Sequence, residues 1–317
     1  MKLSRIIATG AVLALIGGSS VLTATTATAV AAPTTNYVKA ADFGTEVSPY
    51  GKSWFKGNAT PATTISDSVS GLVVTGQILN GETPATGLVD LVTGAKLKVV
   101  TGSAYFQVPL FANATTGYTT LRPELPGQPT TTGNWITSQV IAADSTNGNG
   151  TAYAKGDSAT LAQFADALGT DVSILAYGAF VNPGTSATIS SITWNGVTSR
   201  FTPKSMATAS ATSVSLSEIT TGKGVTVKIT GFIPGESVQP SFGSGQSGED
   251  FGSPIVADAD GVVTVVFVIP GATVGTYNFG AFNAESVGAS VAVTVVADGT
   301  SVATPAAPIS GKASFTG

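Results

Sequence analysis

Short runs of alternating apolar and polar residues, each closed by a glycine, proline or asparagine turn, recur along this chain and limit what it can fold into. "GLVVTGQIL", "AKLKVV", "AYFQVPLF" and "DVSILAYGAFV" are of strand length and rich in β-branched and aromatic residues. Asn80-Gly81, Thr93-Gly94 and Asn182-Pro183-Gly184 supply turn signals. A period of two places alternate side chains on opposite faces of a sheet, so the expected class is all-β, built as two β-sandwiches. One helix interrupts the first. Ser158 can cap it, Leu161, Phe164 and Leu168 fall on one face, and Gly169 stands where a helix-ending glycine belongs.

A second set of strands begins at Ser213, after an unpatterned stretch "TPKSMATASAT". Seven runs follow: "SVSLS", "GVTVKITG", "SVQPSF", "SPIVAD", "GVVTVVFVI", "GTYNFGAFN" and "ASVAVTVV". In "GVTVKITG", Val225, Val227 and Ile229 alternate with Thr226, Lys228 and Thr230, as a half-buried strand requires. The expected organisation is a first sandwich over 32–203, a linker over 204–212, a second sandwich over 213–297 and a flexible tail over 298–317.

Residues 1–31 read as an export signal. Lys2 and Arg5 precede an apolar stretch from Ile6 to Gly18, and Ala29-Val30-Ala31 fits a cleavage site. No membrane span is expected in the mature chain. The final "ASFTG" has no sorting motif, apolar span or basic tail behind it, so the expectation is secretion or non-covalent association with the cell wall.

Composition removes most chemistry. The chain has no Cys and no His, which excludes thiolate zinc, thiol nucleophiles, iron–sulfur ligation, a Ser-His-Asp triad and His-bound haem or copper. No cofactor is expected. Lys and Arg number 14 against 18 Asp and Glu, so no basic stripe is available for phosphates and nucleic acid is not an expected partner. Only 10% of residues are charged, against about 25% in an ordinary domain, so the surface must be built from Thr, Ser, Asn, Gln and Gly.

The candidate site residues are therefore few. Trp194 precedes Asn195-Gly196, a hairpin turn that sets it opposite Val197 and on one face with Ile192, so it is expected in the core, with Thr193, Thr198 and Arg200 on the other face. Trp135 ends the polar loop "RPELPGQPTTTGN" and shares parity with Thr137 and Gln139. It either stacks on a ligand or packs under its own loop. Trp54 either joins it in ligand binding or staples its segment to the sandwich. Asp258 and Asp260 in "ADADGVV" are weak metal candidates, since an Asp-Gly turn accounts for them without an ion. "DSTNGNG", Asp144 to Gly150, reads as a loop for the same lack of a closing carboxylate. Glu249-Asp250 reads as a solvated loop tip, and Gly243 to Gly248 lacks the Lys-Ser/Thr of a phosphate loop.

With "TGFIPGESV", the Asp-x-Asp-Gly hairpin of Asp258 to Gly261 and the "PGATVGTY" strand of Pro270 to Tyr277, the second region resembles the bacterial Ig-like modules of exported actinobacterial surface proteins. The resemblance implies a seven-stranded sandwich and a tyrosine corner at Tyr277. The first region, through its strand order, the "ATLAQFADAL" helix and the "ATISSITWNGVTSRFTP" hairpin, is similar to jelly-roll and lectin-like sandwiches. Such modules serve as stalks, spacers and binding units, so the expected function is a non-catalytic exported surface or wall-associated protein. Its expected partner is a cell-wall or host polysaccharide or another surface protein. The alternative is a glycoside hydrolase working through two carboxylates, which needs no histidine.

Overall fold

The structure, a computed structural model, describes residues 34–299 other than 47–49, 86, 114–115, 144–149, 171 and 245–247. The expected signal segment, most of the "DSTNGNG" loop and the tail from residue 300 lie outside the described residues.

Alternation produces two sandwiches, each around its own core. The first packs a six-stranded sheet on an eight-stranded one. The six-stranded sheet runs Thr34–Tyr37, Val197–Arg200, Ala187–Trp194, Gly71–Thr75, Thr64–Ser68, with Lys96–Thr101 also on Ala187–Trp194. The eight-stranded sheet runs Ser158–Thr160, Asn134–Thr137, Thr116–Pro123, Tyr105–Asn113, Ser173–Phe180, Gln77–Ala85, Trp54–Lys56, Gly44–Thr45. Between them lie Leu72, Val74 and Ile189 from one sheet and Ile78, Phe106 and Leu110 from the other, all fully buried.

Two local readings change. "GLVVTGQIL" is two strands, because the chain passes from one sheet to the other at Gly76. Asn80-Gly81 is strand rather than turn: Asn80 Nδ2 donates to the Tyr177 hydroxyl at 2.9 Å, and a Cβ at Gly81 would run into the Gly51 carbonyl. A glycine is placed there for close approach of another backbone.

The helix is Leu161–Leu168, with Leu161, Phe164 and Leu168 buried as expected. Its cap is Thr160, not Ser158, which belongs to a strand. Thr160 Oγ1 accepts from the Gln163 N–H while Gln163 Oε1 accepts from the Thr160 N–H, a reciprocal box that a cap at Ser158 would lack. A second, unexpected helix, Leu88–Thr93, ends at the Thr93-Gly94 signal, with Gly94 as its C-cap.

The second sandwich sets a three-stranded sheet, Met206–Ala209, Val225–Thr230, Val263–Phe267, against a six-stranded one. The latter runs Ser213–Ser215, Gly288–Val296, Gly275–Phe282, Ser237–Ser244, Glu249–Asp250, with Ile255–Val256 on Ser237–Ser244. All seven expected runs are strands, although "SVSLS" turns into the helix Leu216–Thr220 after Ser215 caps it. The expected linker is corrected. Met206–Ala209 pairs with Val225–Thr230 and is the first strand of this sandwich. Its short alternation of Ala with Met and Thr is too weak to register as a pattern, but the neighbouring strand supplies a ladder. Tyr277 accepts the Thr273 N–H on its hydroxyl at 2.9 Å, and the hydrogen bonds from Thr273 hold its pKa below the usual tyrosine range.

Among the described residues no helix is long and apolar enough to cross a membrane.

Candidate functional site

The tryptophans are all inside the first sandwich. Trp194 lies opposite Val197 in a hairpin whose Asn195 and Gly196 both have positive φ, the two-residue turn expected from their identities. Its indole stacks on Tyr177 at 5.2 Å and Phe106 at 5.8 Å. Trp54 is also buried. Its indole N–H donates to Ser199 Oγ at 3.0 Å, which ties the eight-stranded sheet to the six-stranded one, and its ring meets Tyr177 and Phe201 edge-on. At 5% exposure the ring bridges the two sheets and presents almost no face to solvent.

Trp135 corrects the parity argument. It is 0% exposed, and its indole N–H donates to the Thr130 carbonyl of its own loop at 2.8 Å. Thr137, on the same face, is equally buried, whereas Val140 is exposed. That inner face looks polar because Thr137 and Thr119 bond to each other at 2.8 Å and together serve the Gln139 backbone. Two buried hydroxyls that satisfy one another can stand where apolar residues usually do. Trp135 and Trp54 are thus both buried, and Trp135 packs under its own loop.

Asp258 closes a turn. Its Oδ1 accepts the N–H groups of Asp260 at 3.0 Å and Val262 at 2.9 Å, with Gly261 at φ 70° completing the bend. Among the described residues no group of three or more His, Cys, Asp or Glu could hold a metal ion. Glu249-Asp250 is a two-residue exposed strand.

What remains is the outer face of the eight-stranded sheet. Tyr105 and Phe111 are half-buried on this face with Gln107 and Pro109 buried between them, and the four alternate with the core residues Phe106, Val108 and Leu110. On the neighbouring strand Tyr118, Thr120 and Arg122 alternate with buried Thr119 and Leu121. Phe180 and Gln77 come from two further strands, cross-strand partners in the same sheet. The Arg122 guanidinium sits 4.7 Å from the Tyr105 ring centre and 5.8 Å from that of Phe180. Beside them Gln107 Nε2 donates to the Ala179 carbonyl at 3.2 Å. A planar cation spread over two rings makes a flat, amphipathic surface, which half-exposed aromatics rarely offer unaided.

The face has two ends. At the Phe180 end it opens into a cleft of about 170 Å³ lined by Asn58, Thr60, Pro61, Gln77 and Pro183 among others. Pockets that enclose ligands run to about 300–1,000 Å³, so an occupant would lie along the face rather than sink into it. At the other end Tyr50 covers Phe55 at 5.0 Å and donates to Glu46 Oε1 at 3.1 Å. Burial, then Tyr118, then Glu46, push the Tyr50 pKa far above the ordinary tyrosine value, so the phenol stays neutral.

None of Tyr105, Arg122, Phe180 or Tyr118 stood out in the sequence. Tyr105 and Phe180 sit in runs read for their apolar residues and Arg122 opens the polar loop before Trp135; the signal that could have found the face is the parity of "AYFQVPLF": its tyrosine and glutamine share a face opposite Phe106 and Val108.

No family model matches the chain, and no curated protein does. One solved structure is similar in part: a protein of Corynebacterium diphtheriae whose name describes it as membrane-anchored, at 12% identity and a TM-score of 0.23, over 74% of this chain. The chain spans about half, 53%, of that protein.

Proposed function

We propose that the protein is an exported, non-catalytic surface or wall-associated protein that binds saccharide along the outer face of its eight-stranded sheet. In this reading the first sandwich is a jelly-roll-like binding module and the second an Ig-like module that presents it. The observation that carries the reading is the Tyr105–Arg122–Phe180 stack beside Gln77, with Gln107 buried beneath it. Aromatic faces pack on the apolar faces of sugar rings, while amide and guanidinium donors meet hydroxyls. The absence of His and Cys from the whole sequence supports binding over catalysis.

The test is a glycan array and retention on insoluble cell-wall polysaccharide with the purified chain from residue 32. Binding should appear and should fall about tenfold or more, roughly 1.4 kcal/mol, in Tyr105→Ala while the melting temperature holds. Retention unchanged in Tyr105→Ala and in Arg122→Ala, or no glycan bound at all, would contradict the reading. Fractionation of the producing cell tests export: recovery in the cytoplasm contradicts it.

A further inference from the structure

The two sandwiches meet through charge. Their hydrophobic cores are separate. Lys98 and Arg200 of the first face Glu236 and Glu285 of the second. Lys98 Nζ stands 3.1 Å from Glu285 Oε1 and 3.9 Å from Glu236 Oε1, and Arg200 Nη1 stands 3.9 Å from Glu285 Oε2.

The Glu236 carboxylate and the Glu285 backbone are held in place by their own sandwich. Glu236 Oε1 accepts from Asn283 Nδ2 at 2.7 Å and its Oε2 from the Ile233 N–H at 3.0 Å. Asn283 Oδ1 accepts the N–H groups of Glu285 and Val287, which sets the turn carrying Glu285. The chain between the sandwiches is packed as well. Phe201, Thr202 and Ser205 are buried, and Gly231 at φ 90° lies so close to Ser205 that a Cβ there would stand 2.7 Å from the Ser205 Cα.

Arg200 is the unusual member. It is 2% exposed, its Nε donates to Thr202 Oγ1 at 2.8 Å, and its Nη2 has no hydrogen-bond partner. A guanidinium so buried is tolerated only beside an opposite charge, and here Glu285 provides it from the other sandwich. Lys98, by contrast, is well exposed and its pairs contribute little to holding the interface.

We propose that Arg200 and Glu285 form a charge-dependent clasp that fixes the angle between the two sandwiches. With Glu285 ionised, Arg200 stays covered and the sandwiches are docked. With that charge removed, Arg200 becomes a buried, unpaired cation, and the sandwiches part to let water reach it. The clasp acts on orientation, not on folding of either sandwich, since each keeps its own core.

The absence of cysteine makes the test direct. Ser66→Cys and Thr264→Cys place one spin label on an exposed strand position of each sandwich, and the distance between labels is measured by pulsed electron resonance. The parent chain should give a single narrow distance. Glu285→Gln, at a half-exposed position, should lose it while circular dichroism and the melting curve hold. Adding Arg200→Met, which removes the cation and keeps bulk, should restore a narrow distribution. A narrow distance unchanged in Glu285→Gln would overturn the clasp. A broad distribution that Arg200→Met leaves broad would equally overturn it, because the buried cation would then not be what drives the sandwiches apart.

Discussion

The second sandwich has its inside and outside written in plain alternation, and the first does not. Val225, Val227 and Ile229 are buried with exposed Lys228 between them, and Val263, Val265 and Phe267 are buried with Thr264 and Val266 outside. The first sandwich buries Thr119, Thr137 and Ser199 among its core residues, Thr137 on the strand that carries Trp135 and Ser199 against the Trp54 indole. The difference lies in how each core is satisfied. Branched aliphatic side chains need only contact, whereas the first core pairs hydroxyls and indole N–H groups with one another and can therefore put polar residues on the inner face.

The largest effect that could break this comparison is on the tryptophans. Trp135→Ala and Trp194→Ala should each cost about 3–5 kcal/mol, because both remove fully buried indoles from one core. Urea unfolding followed by circular dichroism checks it. A Trp135→Ala variant as stable as the parent would put that ring back on the surface. Next comes the buried hydroxyl pair. Thr119→Val should cost about 1–3 kcal/mol, since it strands the Gln139 N–H and removes one of the two hydrogen bonds of Thr137, whereas Thr264→Val on the exposed face of the second sandwich should stay within about 0.5 kcal/mol. Equal effects at the two positions would erase the distinction.

These cases show what could be read in advance. The all-β class, the seven strands of the second sandwich and the Trp194 hairpin followed from periodicity and turn residues, because each depends on local backbone chemistry. The face of Trp135 did not, because Thr137 is polar by identity and core by partner, and its partner Thr119 is distant in sequence. Arg200 shares the face of Thr193 and Thr198 by the same rule yet is buried, with Glu285 of the other sandwich 3.9 Å from its guanidinium. The strand at Met206–Ala209 has too little apolar contrast to be legible from its residues alone. A candidate binding face made of Tyr105, Arg122 and Phe180 requires three strands to be laid side by side, which no single run of residues reveals.

Smaller effects sharpen the account. Asp258→Ala should cost the second sandwich about 1–2 kcal/mol, because two turn N–H groups lose their acceptor, and calcium should not alter the parent's melting temperature. A calcium-dependent rise would make Asp258 a ligand after all. Tyr50 gives a pH signature. Its folded pKa is raised above the ordinary 10.0, so the stability it lends is complete below pH 10 and is lost as pH rises beyond that value. Thermal melts between pH 8 and 11 should show about a smaller fall in Tyr50→Phe than in the parent, and an identical fall would remove Tyr50 as its source.

All three tryptophans, Trp54, Trp135 and Trp194, belong to the first sandwich, so the protein's intrinsic fluorescence reports on that core alone. These rings lie buried in the core, which leaves the sheet's outer face as the proposed binding surface. Iodide quenching of the native chain measures that burial directly. Blue-shifted emission that iodide scarcely quenches, turning red-shifted and fully quenchable in denaturant, is the predicted result. A native fraction quenched as in denaturant, and lost in Trp135→Phe, would show an indole open to solvent and return the binding site to the tryptophans.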